Sequence, residues 1–284
     1  MRKTFLRIAG AIIMILLLFP FVLILIGRSQ LHDSDIPQKE SLVESTSKLR
    51  IMAFFPHPDD EVTVSGTLMN LIEQGHEVHL ICLTKGEAGN SGEASTKQEL
   101  ADLRTLEMQR SAEIIGVEKL NLLEYPDGGL DEIGLDSIKR IALDWIDQIQ
   151  PDVLISYDSK VGLYGHSDHK LSGIAFEEVF LENSGKPGFS PTKLFQVTLS
   201  PKQIQVALKL STGFQRNYPK DLSQGLPEPD FSVLTQPYFH RVLEVMKAHQ
   251  TQRGVLKDLM PYHDRVPAWI YSRIFDREYF HEVK

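Results

Sequence analysis

The chain has 284 residues, 42% of them hydrophobic and 24% charged, which is enough for one α/β domain with a full core plus an appended segment and too few for two large domains. That composition carries none of the biases of collagen, coiled coil or bulk disorder. A formal net charge of -8 and a pI near 5.7 exclude a nucleic acid as the main partner, because phosphate binding leaves a basic footprint, and the single cysteine, Cys82, excludes a disulfide framework and a cysteine-rich zinc site.

Ile8 to Gly27 is a run of twenty residues without a charge, long enough to cross a bilayer as a helix. Arg2, Lys3 and Arg7 precede it and only Arg28 follows closely, so the positive-inside rule puts the N-terminus in the cytoplasm and the rest outside. A cleaved signal peptide is the alternative, but its apolar core is normally shorter and no small-x-small cleavage site follows Gly27. Pro20 is compatible with a span, since membrane helices tolerate proline. The reading is an N-terminal stub and anchor over 1–28. From Ser29 to Ser47 the residues are mostly polar, with no helical stripe, and read as a linker. The domain proper then occupies 48–284.

Leu49 to Phe55 is a short apolar run that stops at Pro56, the pattern of a buried strand. A helix from about Val62 to Gln74, closed by Gly75, leads to a second strand over Val78 to Leu83. Cys82 lies inside that strand, where a buried, inert thiol is expected. A helix near Lys97 to Ile115 closed by Gly116, a strand near Leu120 to Tyr125, a helix near Leu135 to Ile149 and a strand from Val153 to Tyr157 repeat the alternation. Such alternation predicts an α/β fold, a Rossmann-like, mainly parallel sheet with helices on both faces. Ligands then collect beyond the carboxyl ends of the strands, in the loops after Phe55, Leu83, Tyr125 and Tyr157. The glycine fingerprint of dinucleotide binding is absent after the first strand, which argues against a nicotinamide or flavin enzyme.

Two of those loops concentrate metal-binding residue types: His57-Pro58-Asp59-Asp60-Glu61 and His166-Ser167-Asp168-His169. Alone, His57 reads as an ordinary loop histidine, and the acids read as charges favoured at a helix N-terminus. Together at one sheet edge they suit a catalytic metal, which takes three protein ligands and keeps one position open for water.

The pair Pro-His-Pro-Asp-Asp-Glu at 56–61 and Gly-His-Ser-Asp-His at 165–169 resembles the LmbE-like and PIG-L-like de-N-acetylases, zinc-dependent enzymes acting on N-acetylglucosamine-containing substrates. The resemblance runs from about Leu49 to His249. It implies His57, Asp60 and His169 as ligands of a zinc ion, Asp59 as general base, and His166 and Tyr164 as groups that stabilise the oxyanion or protonate the leaving amine. It also implies sugar contacts from Arg104 and Asp127, although Arg104 and Glu107 are spaced to pair on a helix face and Asp127-Gly128 is an ordinary turn. Ser167 stands where many bacterial members have proline, and Pro56 where a small residue is common; neither departure removes a functional side chain.

Val242 to Leu259 reads as helical, and His249 within it as a surface or packing histidine rather than a ligand. The tail residues Tyr262, Trp269, Tyr271, Phe275, Tyr279 and Phe280 read as packing on the domain, with a sugar-stacking or membrane-facing surface as the alternative. The function that follows is a metal-dependent hydrolase removing acetyl from an N-acetylated amino sugar at a membrane. Its alternatives are a metal-dependent esterase, amidase or phosphoesterase, and a membrane-anchored carbohydrate-binding module without catalysis.

Overall fold

The computed structural model of the chain describes residues 2–89 and 94–284. Among these, the strands β1 (Gln38–Lys39), β2 (Arg50–Phe55), β3 (Glu77–Thr84), β4 (Lys119–Tyr125), β5 (Val153–Tyr157), β6 (Lys193–Thr198), β7 (Phe231–Leu234) and β8 (Arg277–Glu282) form one sheet in the order β1-β7-β8-β6-β5-β2-β3-β4. From β6 to β4 every neighbouring pair is parallel. Counted among themselves, these five strands run 3-2-1-4-5 from β4 to β6, the doubly wound order in which the connections change direction beside the first strand. Here that switch point lies between β2 and β5, paired from Ile51↔Val153 to Phe54↔Ser156.

The sheet as a whole is mixed, because β8 runs antiparallel between β6 and β7. The expectation of a mainly parallel sheet holds, since five of the seven pairings among the described residues are parallel and β8 alone makes the two antiparallel ones. The aromatic tail supplies β8, whose Tyr279 and Phe280 are buried. Tyr271 is also buried, whereas Tyr262 and Trp269 stay exposed.

The longer helices are α1 (Arg2–Leu31), α2 (Ser65–Glu73), α3 (Lys97–Ile115), α4 (Leu135–Ile149), α5 (Ser167–Asn183), α6 (Pro201–Leu210), α7 (Phe239–Ala248) and α8 (Arg253–Leu259). Local chemistry sets several ends. Thr96 caps α3 by accepting from Glu99 N, and Gly116 closes it at φ 88°. Ser200 and Gln203 form a reciprocal capping box on α6. Strand side chains alternate between two layers: Ile51, Ala53 and Phe55 pack in the core with α2, α3 and α7, while Met52 and Phe54 pack with α4 and α5. Helices therefore cover both faces, as such a sheet requires.

Two segments differ from their sequence reading. The expected helix from Val242 to Leu259 is broken at His249 (φ -81°, ψ 68°), which turns that side chain into the interior. The expected polar linker, 29–47, is folded into the domain: Gln38 and Lys39 pair with Ser232 and Val233, and Leu42 and Val43 are buried in the main core. Composition misleads here because two apolar side chains among polar ones suffice to anchor a short edge segment.

The helix α1 is long and apolar enough to cross a membrane, by length and composition. Most of its side chains are exposed, but its C-terminal end is fixed to the domain. Arg28 reaches Asp276 Oδ2 at 2.5 Å, the His32 ring meets the Ile274 carbonyl at 2.8 Å, and Ser200 Oγ donates to Leu31 O at 3.2 Å.

Leu42, 2% exposed, tests the folded status of the former linker. Leu42→Ala is expected to lower stability by about 2–5 kcal/mol, the range for a truncated core leucine, in a denaturant titration. A loss below ~0.5 kcal/mol, typical of surface substitutions, would restore the solvated-tether reading.

Candidate metal centre and its supporting network

The pairing of β2 with β5 delivers two loops to one crevice. After β2 the chain enters a 3-10 turn, Asp60–Val64, with Asp59 before it at φ 102°, a left-handed conformation. After β5 the buried carboxylate of Asp158 accepts from Lys160 N, Val161 N and Leu163 N at 3.0, 2.6 and 2.7 Å, which folds the loop back on itself. Gly165 sits at φ 103°, and a Cβ there would meet the Asn217 carbonyl oxygen at 2.2 Å, so only glycine fits. His166 follows as the N-cap of α5, its Nδ1 accepting from Asp168 N at 3.2 Å. Ser167 to His169, read from the sequence as loop, are the first turn of that helix.

This arrangement brings His57, Asp60 and His169 together, although 112 positions separate the two histidines. His57 Nδ1 lies 3.1 Å from His169 Nε2 and 3.5 Å from Asp60 Oδ2, and His169 Nε2 lies 3.2 Å from Asp60 Oδ1. A tetrahedral ion with bonds of about 2.0–2.1 Å separates its ligand atoms by roughly 3.3–3.4 Å, so these side chains fit one such ion with little movement. All three are buried. Two further groups of donors are close: His57, His166 and His169, and His57, Asp127 and Asp168, each with ligand atoms within 4.8 Å of one another. On the far side of the His57 ring, Nε2 faces Asp127 Oδ1 at 3.0 Å and Asp168 Oδ2 at 3.3 Å. A ring N–H donated to carboxylates is the usual support of a ligating imidazole, and it leaves Nδ1 on the side of Asp60 and His169.

The charges agree. Burial opposes ionisation of His57, yet hydrogen bonds to Asp127, Asp168 and Asp60 raise its pKa well above the ordinary imidazole value. Burial likewise opposes the Asp60 carboxylate, but His169 and His57 hold it well below the usual range. Among the described residues, Asp59, Asp60, Asp127 and Asp168 converge here against one permanent cation, Arg104. Buried charge of one sign needs a partner, and a cluster of this kind could hold a cation.

Asp59 is not among the three donors of that triangle. Arg104 NH2 donates to its Oδ1 at 3.2 Å, and its backbone N–H donates to Glu61 Oε2 at 3.0 Å. Burial pushes the Asp59 carboxyl up to about 6, with Arg104 pulling the other way. Glu61 is in turn held by the His249 ring, 2.5 Å from Oε1, and by the Ser111 hydroxyl, all three being fully buried. Sequence reasoning missed this support. The signal for Glu61 was its place in the Pro-His-Pro-Asp-Asp-Glu run; for His249, 188 positions away, there was none. Asp168, inside the second motif, was also left without a role.

Arg104 and Asp127 line the same cavity, and most of their polar groups, though not Arg104 Nε, are engaged with the protein. Arg104 donates to the carbonyls of Gly86 (2.8 Å) and Pro58 besides Asp59. Asp127 Oδ1 faces His57, and Oδ2 accepts from Ala88 N at 2.9 Å. Both side chains thus hold Asp59 and His57 from the cavity wall where sugar contacts are expected of them. Glu107 does not pair with Arg104 either; it accepts from Thr251 N and Oγ1 at 2.8 and 2.7 Å. Cys82 is buried, and burial pushes its thiol far up, as expected of an inert cysteine.

Tyr164 and His166 complete the wall facing His57 and His169. The Tyr164 ring stands edge-on to His169 at 5.1 Å, and the His166 ring edge-on to His57 at 4.8 Å. Because His166 Nδ1 accepts a backbone N–H, a neutral ring carries its hydrogen on Nε2. Burial and the neighbouring imidazoles push the His166 pKa down to about 4. The cavity these residues line has a volume of about 610 Å³, within the range of small-molecule sites.

The chain is similar to known proteins over most of its length. Residues 52–180 match the family model PIG-L, GlcNAc-PI de-N-acetylase. The chain is 30% identical over 204 residues to the diacetylchitobiose deacetylase of Thermococcus kodakarensis, spanning 72% of this chain and 70% of that one. It is 23% identical over 239 residues to the probable N-acetyl-alpha-D-glucosaminyl L-malate deacetylase 2 of Bacillus anthracis, spanning 78% and 94%. Among solved structures, the N,N'-diacetylchitobiose deacetylase of Pyrococcus horikoshii superposes with a TM-score of 0.59 at 22% identity, over 82% of this chain and 83% of that one, a likeness of fold.

The full chain is expected to bind one equivalent of zinc, measured by elemental analysis after dialysis. His169→Ala should lose it and Asp59→Asn should keep it. Retention of full stoichiometry by His169→Ala would remove that side chain from the ligand set.

Proposed function

Because this chain belongs to the PIG-L family of de-N-acetylases, we propose that it is a metal-dependent hydrolase that removes the acetyl group from an N-acetylglucosamine-containing glycoconjugate. The observation that carries this reading is the meeting of His57 Nδ1 and His169 Nε2 at 3.1 Å, with Asp60 Oδ2 3.5 Å from the first and Asp60 Oδ1 3.2 Å from the second, next to a carboxylate, Asp59, that makes none of these contacts. Two imidazoles and one carboxylate suit zinc. When bound, that ion supplies a Lewis acid and a water acidified to a pKa of about 7.

The side chains of this chain do the rest. Asp60, with its oxygens turned to the metal triangle, is a poor base, so Asp59 takes the proton from water and returns it to the leaving amine. Its aim is set by Arg104 on one oxygen and by Glu61 on its backbone N–H. The left-handed φ of Asp59 is a conformation that needs such support. His57 is kept in the tautomer that presents Nδ1 by the carboxylates at Nε2. As charge develops on the acetyl oxygen, the His166 Nε2 hydrogen and the Tyr164 hydroxyl are the donors positioned to receive it.

The helix α1 extends the reading to location. Its exposed apolar side chains, with Leu16 at 65% and Leu17 at 66% exposure, and the basic residues that precede its apolar run support a membrane anchor carrying the domain on the extracytoplasmic side. Substrates at a membrane or wall are the class within its reach.

Release of acetate from an N-acetylglucosamine conjugate, followed with and without a chelator, tests the activity. Asp59→Asn, which preserves shape and tolerates φ above zero, is expected to lower kcat by about 10²–10⁴-fold with zinc content unchanged; near-normal turnover would defeat the assignment of the base. Tyr164→Phe removes one oxyanion donor and should lower kcat by about 10²–10³-fold, or ~3 kcal/mol, with little change in KM. Glu61→Ala should lower kcat by about tenfold or more through misplacement of Asp59, again with zinc retained; loss of the metal instead would make Glu61 part of its site.

A further inference from the structure

The last turns of α1 are clasped by one surface segment of the domain. Gly27, where the apolar run ends, leaves no room for a side chain, since a Cβ there would stand 2.6 Å from Ile274 Cδ1. Arg28 donates to Arg273 O at 2.9 Å and to Asp276 Oδ2 at 2.5 Å, and the His32 ring meets Ile274 O at 2.8 Å. Residues 273–276 therefore lie at the level where α1 passes from apolar to charged side chains.

The turns just before them are fixed in place and carry exposed aromatic rings. In the short helix Ala268–Tyr271, Ile270 and Tyr271 are buried, the Tyr271 hydroxyl donates to Pro261 O at 2.9 Å, and its ring stacks on Phe275 at 4.4 Å. Trp269 nevertheless is 45% exposed, with the Arg273 guanidinium 5.8 Å from its ring centre. Tyr262 is 53% exposed and has φ 65°, an unusual conformation for a bulky residue. Its backbone is held there by Arg265 N and Val266 N, both donating to its carbonyl at 3.0 Å. Over 253–275, Arg253, Lys257, Arg265 and Arg273 outnumber Asp258 and Asp264, so the segment is basic in a chain of net charge -8. Tryptophan and tyrosine are enriched at the headgroup level of a bilayer, and basic side chains are drawn to anionic headgroups.

We propose that the segment from Tyr262 to Phe275 is a second membrane contact, which docks on the anionic headgroups of the leaflet from which α1 emerges and sets the Trp269 indole at the boundary of headgroup and hydrocarbon. The contact rests on the anchor reading of α1, and for its own part on the clasp around Gly27 and Arg28 and on the exposed rings and positive charge beside it. Lipid is the occupant because the patch continues the exposed apolar surface of α1 at the depth where that surface ends. A single helix would let the domain swing, whereas a helix joined to an interfacial patch fixes its tilt. The folding of 29–47 onto the domain, which provides no slack between anchor and sheet, fits such an attachment.

Trp145 and Trp269 are the two tryptophans of the chain, so Trp145→Phe makes Trp269 the sole one. The full-length variant is reconstituted in vesicles of phosphatidylcholine and phosphatidylglycerol, and flotation shows whether the bilayer holds it. Emission is then read with bromine placed on the acyl chains either near the headgroup or near the chain end. Shallow bromine is expected to quench Trp269 by about half or more, and deep bromine distinctly less. Quenching should weaken in phosphatidylcholine alone and on Arg265→Glu; equal quenching in the two lipid mixtures overturns the anionic preference. Emission indifferent to bromine in protein that floats overturns the surface contact and leaves the anchor standing, whereas failure to float overturns the anchor and the contact with it. Trp269→Phe, which keeps the half-buried Trp145 of α4, is the control and should ignore bromine at either depth. Should the Trp145 variant not fold, the difference in quenching between the wild-type protein and Trp269→Phe decides the same question.

Discussion

Parallel strands that lie side by side while their connections depart in opposite directions leave a crevice at their carboxyl ends, and the centre of this molecule follows from one such pair. The hydrogen-bonded register of β2 with β5, Ile51 to Phe54 against Val153 to Ser156, brings the residues after Phe55 and those after Tyr157 to one point. Shifting that register by one residue would exchange the two core layers, sending Met52 and Phe54 to the side of Ile51 and Phe55. Every distance in the metal triangle depends on this alignment.

Concentrating His57, Asp59, Asp60, Asp127, Asp168 and His169 in a buried space is unfavourable unless each charge is matched. The molecule matches them in two shells. Closest to the triangle, imidazole faces carboxylate on both sides of the His57 ring. Behind Asp59, Arg104, Glu61, His249 and Ser111 form a second buried network that reaches α3 and the break between α7 and α8. The break at His249 is thus a structural requirement: a continuous helix through Leu259 would not deliver that ring to Glu61. The left-handed backbone of Asp59 and the glycine-only position at 165 are further local strains accepted at the site and supported from outside it.

Much of the first half of the domain was legible from periodicity alone. The strands at 50–55, 77–84, 119–125 and 153–157 and the helices at 97–115 and 135–149 match their apolar patterns, because each is a short amphipathic or fully buried unit whose period shows in the sequence. The second half was less so. β6, β7 and β8 are separated by long stretches of chain, and β8 owes its place between β6 and β7 to cross-strand packing of tail aromatics that local pattern does not report. The linker reading of 29–47 failed for a similar reason, since the burial of Leu42 and Val43 comes from the sheet they dock on.

The sequence by itself determined the chemical types, two histidine and aspartate clusters in loops after strands, and an apolar N-terminal segment of spanning length. Side-chain chemistry and spacing are local properties, and they fix which ions and which protons the chain is able to handle. Tertiary structure alone decided which nitrogen of His57 faces Asp60, that Asp127 and Arg104 turn to protein partners, that His249 supports Glu61, and that Leu31 shares a cavity with His57. Those are contacts across tens to hundreds of positions, set by how strands register and helices pack, and no local pattern encodes them.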